Sequence, residues 1–212
     1  VASPIHRVDP AKVAEGPSEA AQPGDPGTLS PPMLGRPAGL TEETTAFRQA
    51  PARSTALVLE ASDTALAAAL AALRRSQSAQ THMDVARAYR DAGVLDMAHE
   101  HFGLVVKLDP ENGVAYDEMA RIWRRWGFPA LALADAHRAV YHAPASAAAR
   151  NTLGTVFQAL GFATLARTEY QRALTLDPGA AYALNNICTL DLAAGDPVSA
   201  VDRCTEALKL DP

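Results

Sequence analysis

Residues 113–146 read GVAYDEMARIWRRWGFPALALADAHRAVYHAPAS, and this stretch decides the fold. Gly127 separates two helical stretches, at a point where the end of a helix needs a residue in the left-handed conformation. Pro129 follows two positions later and fits the first turn of a second helix, where no backbone donor is required. Pro144 then stops that second helix. The stretch therefore predicts a helix, a tight turn, a second helix and a break.

The same arrangement recurs along the chain with a period of 34 residues. Small residues at fixed positions allow helix backbones to approach closely, and chance does not place so many series on one period. The recurring positions are Gly93, Gly127, Gly161 and Gly195; Ala98, Ala132, Ala166 and Ala200; Pro110, Pro144, Pro178 and Pro212; Ala86, Ala120, Gly154 and Cys188; and the aromatic residues Tyr89, Trp123 and Phe157.

With this pattern the chain resembles the tetratricopeptide repeat family, whose unit is a 34-residue helical hairpin. The resemblance covers four repeats, at residues 79–112, 113–146, 147–180 and 181–212. It implies an all-α fold, a right-handed superhelical stack of hairpins (an α-solenoid). The sequence departs from the family at the Trp position of the first helix and at the aromatic position of the last repeat. Those departures are His82, Tyr116, Arg150 and Leu184 at the first position and Asp191 at the second.

A degenerate half-repeat is predicted to precede the stack, at residues 41–78. Ser62 is a good helix N-cap, and Leu66, Leu70 and Leu73 recur at the spacing of an amphipathic helix. Pro51 interrupts the would-be partner helix at residues 45–58. At the other end the chain stops at Pro212 without a polar capping helix. We expect the last repeat to meet more chain, a partner or another copy.

Residues 1–40 have a different composition, with eight prolines and five glycines. Such a segment buries too little apolar surface to become ordered by itself, and we interpret it as an extended or disordered tail. Two roles remain open for it, a linker or a strap that becomes ordered on a partner. The first residue is Val1 and no signal-peptide pattern follows, so we expect either a removed segment or part of a longer chain.

Composition excludes several classes of function. The net charge of −5 and the pI near 5.7 argue against a nucleic-acid partner. No apolar run approaches the ~18 residues that would span a bilayer. The histidines lie at spacings unsuited to joint chelation, and no metal-binding, phosphate-cradling or catalytic motif occurs. We therefore expect no enzyme activity, no metal and no cofactor.

Two cysteines fall at small-residue positions of the last repeat, Cys188 on its first helix and Cys204 on its second. These helices are antiparallel neighbours, so the sulfur atoms can come within bonding reach. The alternatives are a disulfide or two buried free thiols. A disulfide, together with the Pro-rich leader and the missing initiator Met, would favour an extracytoplasmic location over the cytoplasm.

The resemblance to the family implies a binding groove, lined by the first helix of each repeat. The resemblance implies that the groove is lined by Arg87, Arg90, Arg121, Arg124, Arg125, Asn151, Gln158 and Asn185, with Met83, Asp117, Thr155, Tyr182 and Thr189 beside them. Arginine suits carboxylates and backbone carbonyls, and amides pair with peptide backbone. The alternative is a solvated charged face. The chaperone-tail binders of the family need a Lys where this chain has Met83, so we do not expect that role.

We therefore expect a non-catalytic scaffold that binds a peptide or helix of a protein partner within a larger assembly, with an acidic partner as one option. The first alternative is a structural subunit, or a self-associating one, that contacts neighbours through the stack ends and the tail. The second is a regulatory domain of a longer enzyme. Trp126 is a further candidate, either packed or exposed as an anchor for a partner.

Overall fold

The computed structural model describes residues 62–211, and these form nine α-helices without a strand. The predicted tail and the would-be helix at residues 45–58 lie outside the described residues. The helices are α1 (Thr64–Arg75), α2 (Ala79–Asp91), α3 (Leu95–Leu108), α4 (Gly113–Arg125), α5 (Pro129–His142), α6 (Ala147–Ala159), α7 (Ala163–Leu176), α8 (Ala181–Ala193) and α9 (Pro197–Leu210).

Helices α2 to α9 form four antiparallel hairpins, and each hairpin turns at a glycine of the 34-residue series. The four glycines have φ angles of 78° to 84°, and no other described residue has a positive φ. Side chains with a Cβ rarely adopt this conformation, which explains why the sequence keeps glycine at each turn. Pro129 and Pro197 begin α5 and α9, as the sequence predicts.

Side-chain caps begin five of the helices. The prediction of Ser62 as the first cap was wrong by one residue: Asp63 precedes α1, and its carboxylate accepts hydrogen bonds from the backbone N–H groups of Ala65 and Leu66. Ser78 begins α2 in a reciprocal capping box with Thr81. Asn112, Ser146 and Asp196 cap α4, α6 and α9. Each cap satisfies backbone donors that a helix leaves unpaired.

The core lies along the axis of the stack, where small residues let the helices approach. Ala98, Ala132 and Ala166 are fully buried, and so are Ala86 and Ala120 of the other small series. Larger side chains fill the spaces between them, and Phe102, Tyr89 and Tyr170 are almost completely buried. The buried residues form four hydrophobic clusters along the stack, and the partly buried Phe157 and Leu174 each pack against two of them.

Gly154 provides the closest approach in this interior. A Cβ at this position would lie 2.5 Å from Cε1 and 2.6 Å from Cδ1 of Tyr170. The hydroxyl of Tyr170 donates a 2.6 Å hydrogen bond to Oε1 of Gln158, which fixes the ring over Gly154. The sequence departs from alanine at this point of the series because a tyrosine ring occupies the space.

Candidate functional site

The first helices of the hairpins form one face of the stack. Helix α4 contacts α6, and α6 contacts α8, whereas direct contacts between successive second helices are weaker in the described part of the chain. A stack that is tighter along its first helices curves toward them. The face of α2, α4, α6 and α8 is therefore the concave one, and we call it the groove.

A cleft of about 380 Å³ lies in the middle of the groove. It spans three successive hairpins, from the end of α2 across α4 to α6. Four of the five predicted groove arginines line it, together with threonine hydroxyls and two apolar side chains. The lining residues are Arg90, Leu95, Glu118, Arg121, Ile122, Arg124, Arg125, Asn151, Thr152 and Thr155.

Arg90 is held by two carboxylates. Its guanidinium lies 2.5 Å from Oε1 of Glu118 and 2.8 Å from Oδ1 of Asp91. Burial opposes the charge of Arg90, but the hydrogen bond to Asp91 and the charge of Glu118 outweigh it and raise the pKa of Arg90. Because Glu118 belongs to the next hairpin, this ion pair fastens the first repeat to the second.

Arg121 is also engaged within the protein. Its Nε atom lies 3.1 Å from Oδ2 of Asp117 and 3.2 Å from the hydroxyl oxygen of Thr152, which belongs to α6. Burial raises the pKa of Asp117, and the charge of Arg121 and a hydrogen bond with Thr152 only partly offset this effect. Arg121 therefore stabilises a buried carboxylate while 47% of its own side chain remains exposed.

Arg87, Arg124 and Arg125 differ from these two arginines because they are exposed and make no ion pair with the described residues. Arg124 and Arg125 are adjacent in the last turn of α4, and both line the cleft. The five arginines and the three carboxylates that engage two of them leave a local charge of about +2 on an acidic chain. This excess positive charge is concentrated at the end of α4.

Two residues predicted for the groove are internal. Met83 is 5% exposed and packs in the core of the first repeat. Asn151 is 8% exposed, and its Oδ1 accepts a 2.8 Å hydrogen bond from Nδ2 of Asn186. Asn151 still lines the cleft, but its side-chain oxygen is engaged by Asn186 and so joins α6 to α8. Its contact with a guest stays a prediction.

Gln158 and Asn185 lie at different places on the face. The Oε1 atom of Gln158 is occupied by Tyr170, and its Nε2 donates a 3.5 Å hydrogen bond to the hydroxyl of Thr189. Asn185 is exposed, but it lines a second cleft of about 650 Å³ between α8 and α9. Four of the five arginines thus share the first cleft, and neither amide lines it. Gln158 nevertheless lies near Arg124, whose charge acts on the hydroxyl of Tyr170.

The position where the family pattern has Trp carries a different pairing in each of the first three hairpins. His82 lies against His101, with their Nδ1 atoms 3.0 Å apart. The ring of Tyr116 stacks on His142, at a centroid distance of 5.6 Å. Arg150 forms a 3.1 Å ion pair with Glu169 of the facing helix. Sequence reasoning noted the departures but missed these pairings.

Asp191, which stands at the aromatic position of the last repeat, is also paired. It is 5% exposed and lies 2.6 Å from Nη2 of Arg167 on α7. His99 and Trp123 occupy the equivalent positions two repeats earlier, with ring centroids 4.8 Å apart. Both pairs are 24 residues apart in the sequence, a spacing that could have revealed the ion pair.

Trp126 packs within the stack. Its ring lies 5.3 Å from that of Trp123 and 5.5 Å from that of His99, and its side chain is partly buried against the core of the first repeat. Of the two alternatives for this residue, the structure favours packing over an exposed anchor.

The structure places Cys188 and Cys204 in bonding contact, with their Cα atoms 5.5 Å apart. Cys188 is 1% exposed in α8, and Cys204 lies half-buried beside the second cleft. The pair would join the two helices of the last hairpin.

Two searches of the described residues found nothing. No group of three or more His, Cys, Asp or Glu side chains there is arranged to hold a metal ion. None of the nine helices has the length and apolar character needed to cross a bilayer.

Comparisons with known proteins identify the fold. No protein-family model matches the sequence, and no curated protein matches it. Solved structures do: the protein TTC0263 of Thermus thermophilus, described as a thermophilic TPR protein, is 22% identical with a TM-score of 0.62, over 78% of this chain and 92% of that one. MamA 41-end from Desulfovibrio magneticus RS-1 is 20% identical with a TM-score of 0.61, over 76% and 93%.

A third solved structure contains a bound peptide. It is the first TPR of Spaghetti (RPAP3) bound to the HSP90 peptide SRMEEVD, with 26% identity and a TM-score of 0.54 over 57% of this chain and 95% of that one. Together with the helical hairpins and their turn glycines, these similarities establish the fold class: the chain has the fold of tetratricopeptide repeat proteins.

Proposed function

We propose that this protein is a non-catalytic scaffold that binds an extended or helical segment of another protein in its groove. The observation that carries the proposal is the pair Arg124 and Arg125, exposed in a 380 Å³ cleft without a carboxylate partner among the described residues. The related Spaghetti (RPAP3) structure, in which a repeat stack of this class holds a peptide, supports the same kind of activity.

The chemistry of the cleft favours a guest with acidic side chains. Arg90 and Arg121 are neutralised by Glu118 and Asp117, so an incoming carboxylate meets the free charges of Arg124 and Arg125 first. Guanidinium groups form paired hydrogen bonds with carboxylates and with backbone carbonyls. Since one exposed ion pair contributes only ~0–1 kcal/mol, binding requires several contacts along the groove. Arg87 and Thr155 extend the polar surface on either side.

The test is charge reversal at the arginine pair. The double variant Arg124→Glu and Arg125→Glu should weaken binding of a co-purifying protein partner at least tenfold, because two attractive charges become repulsive. Affinity capture from the native source, followed by isothermal titration with the identified segment, measures this effect. Unchanged affinity would exclude the groove as the binding site.

The chain offers a matched control for this experiment. Arg74 and Arg75 are likewise adjacent and exposed in the last turn of a helix, α1. Reversing them removes the same favourable interaction with a helix C-terminus but leaves the cleft unchanged. Their double variant should therefore bind the guest with the affinity of the original protein, and an equal loss in both variants would indicate a nonspecific effect of charge.

A second candidate function is structural contact with a neighbouring subunit through α9. Val198, Val201 and Leu208 on this helix are 74%, 64% and 65% exposed. His99 and Arg167, which hold the position of Val201 in α3 and α7, contact the hairpin that follows them. An apolar face of this kind favours a helix as its neighbour. Light scattering of the chain and of its Val201→Glu, Leu208→Glu variant tests this candidate, which fails if both are monomeric at all concentrations.

A further inference from the structure

Two histidine rings are buried against each other inside the first hairpin. His82 of α2 is 7% exposed and His101 of α3 is 9% exposed. Their Nδ1 atoms lie 3.0 Å apart and their ring centroids 5.2 Å apart. Tyr89 covers the other side of His101, at a centroid distance of 5.8 Å. These contacts join the two helices of the hairpin at its centre, far from its turn.

The short distance between the two Nδ1 atoms requires complementary protonation. One Nδ1 donates its N–H and the other accepts with its lone pair, so both rings are neutral when each carries one proton. A single added proton places an ionised group in the apolar interior. A second added proton sets two N–H groups against each other and removes the hydrogen bond. The closed hairpin therefore accommodates neutral rings and disfavours protonated ones.

The surroundings provide no compensating negative charge. His82 is the one ionisable group whose charge acts on His101 in the described part of the chain. None of the other charged groups or histidines on the packed helices is among the charges that act on His101. They are Arg74 and Arg75 on α1; Asp84, Arg87, Arg90 and Asp91 on α2; Asp96, His99, Glu100 and Lys107 on α3; and Asp117, Glu118, Arg121, Arg124 and Arg125 on α4.

We propose that this histidine pair is a proton-sensitive device, which keeps the first hairpin closed at neutral pH and opens it in mildly acidic solution. The hairpin consists of α2 and α3, and opening it would expose both rings to water. An open hairpin binds a proton on the imidazole of His101 without penalty, whereas the closed one buries that ring against His82 and does not. Acid therefore shifts the population toward the open form by mass action.

The direction of the effect follows from the titration of His101. Burial, with the charge of His82 as a smaller cause, lowers the pKa of His101 to about 4. The ring has a pKa near 6.5 when it is exposed, so the open hairpin binds more protons than the closed one between these values. The stabilisation is fully present above about pH 6.5 and is lost as the pH falls toward about 4.

The second repeat is expected to respond in the opposite direction. Burial raises the pKa of both Asp117 and Asp135, on α4 and α5. A carboxyl whose pKa is raised by folding binds more protons in the folded state, so acid stabilises the structure around it. A general acid effect on the whole stack would therefore not reproduce the behaviour expected of α2 and α3, and the two regions can be separated in one experiment.

The experiment is amide hydrogen exchange on the full chain at about pH 7.5 and about pH 5.5, corrected for the pH dependence of chemical exchange. The opening equilibrium of α2 and α3 should rise about tenfold between these conditions, because an exposed imidazole is mostly protonated at the lower pH and the buried one is not. The amides of α4 and α5 should show no such rise. Equal protection of α2 and α3 at both pH values overturns the proposal.

Variants assign the effect to the pair. The double variant His82→Gln and His101→Gln keeps amide groups that can hydrogen-bond to each other but cannot titrate, and it should abolish the pH dependence of α2 and α3. His137→Gln, on the exposed face of α5, is the matched control and should retain it. If the double variant does not fold, the imidazole resonances of His101 in the unsubstituted protein decide: titration of that ring near pH 6.5 contradicts the proposal.

This device would also regulate the groove, a consequence that rests on the proposed function. Arg87 and Arg90 both lie on α2, so opening the first hairpin displaces two of the five groove arginines. Guest affinity should then fall in acid in the unsubstituted protein and fall less in the double glutamine variant. Hydrogen exchange needs no guest, so a failure of the groove proposal leaves the test of the histidine pair intact.

Discussion

Two glycines in helix interiors should respond in opposite directions to the same substitution. Gly103, in α3, has no atom within 4 Å of an added Cβ, whereas an added Cβ at Gly154 meets the ring of Tyr170 at 2.5 Å. Alanine is favoured over glycine within a helix by about 0.5–1 kcal/mol. Gly103→Ala should therefore increase the free energy of unfolding by about that amount.

The same gain in helix propensity applies to Gly154→Ala, but the cost of the clash with Tyr170 exceeds it. Carbon atoms pack at about 3.5–4.0 Å, so the ring would have to shift by about 1 Å. Tyr170 is fully buried, and its hydroxyl is bonded to Gln158, so little space is available for this shift. Overpacking of a buried site costs about 1–3 kcal/mol. We expect net destabilisation by about 1–2 kcal/mol.

Guanidinium denaturation followed by circular dichroism measures both variants. Hydrogen exchange in α6 and α7 should accompany it, because repeat stacks can unfold hairpin by hairpin. The difference between the two alanine variants isolates the clash. Tyr170→Leu should lower the free energy of unfolding less in the Gly154→Ala variant than in the original protein. If Gly154→Ala stabilises as much as Gly103→Ala, the assignment of Gly154 to the tyrosine ring is wrong.

Two further predictions concern the last repeat. Arg167→Leu should destabilise the protein by about 3 kcal/mol, since the buried carboxylate of Asp191 would lose its partner. Adding Asp191→Phe should restore stability by forming an apolar contact. Thermal unfolding measures both variants, and no rescue would contradict the pairing. The intact mass should rise by about 2 Da on reduction if Cys188 and Cys204 are bonded. Reduction should then lower the free energy of unfolding of α8 and α9 by about 3 kcal/mol. An unchanged mass means free thiols.

The repeat period made the helical hairpins predictable, because each periodic residue answers a local requirement. A glycine at every turn indicates a backbone in the left-handed conformation, and all four glycines have a positive φ angle. Small residues at fixed positions report where helices approach, as the complete burial of Ala98 and Ala132 shows. The first cap was displaced by one residue because Ser62 and Asp63 are both good caps, and sequence alone does not choose between neighbours.

The candidate site was less predictable, because its arrangement depends on contacts between repeats. The arginines were expected together, and four of the five line one cleft. Arg90 is engaged by Glu118 of the next hairpin, a contact that depends on how the repeats stack. Arg121 is engaged by Asp117 one turn earlier in the same helix, a pairing that the i, i+4 spacing already indicates. The stacking of the repeats also buries Asn151 against Asn186. The family's groove positions therefore indicate which side chains lie on the face of the first helices, but not which of them remain free of internal partners.

The contacts between successive hairpins determine which hairpin packs against which. His99 faces Trp123 through aromatic rings, Leu133 and Phe157 share an apolar cluster, and Arg167 faces Asp191 through charge. If the fourth hairpin packed against the second instead of the third, Asp191 would lie beside Leu133 and its carboxylate would be in an apolar site. Because the four hairpins are so alike in backbone, mismatched chemistry of this kind distinguishes the correct alignment from a shifted one during folding.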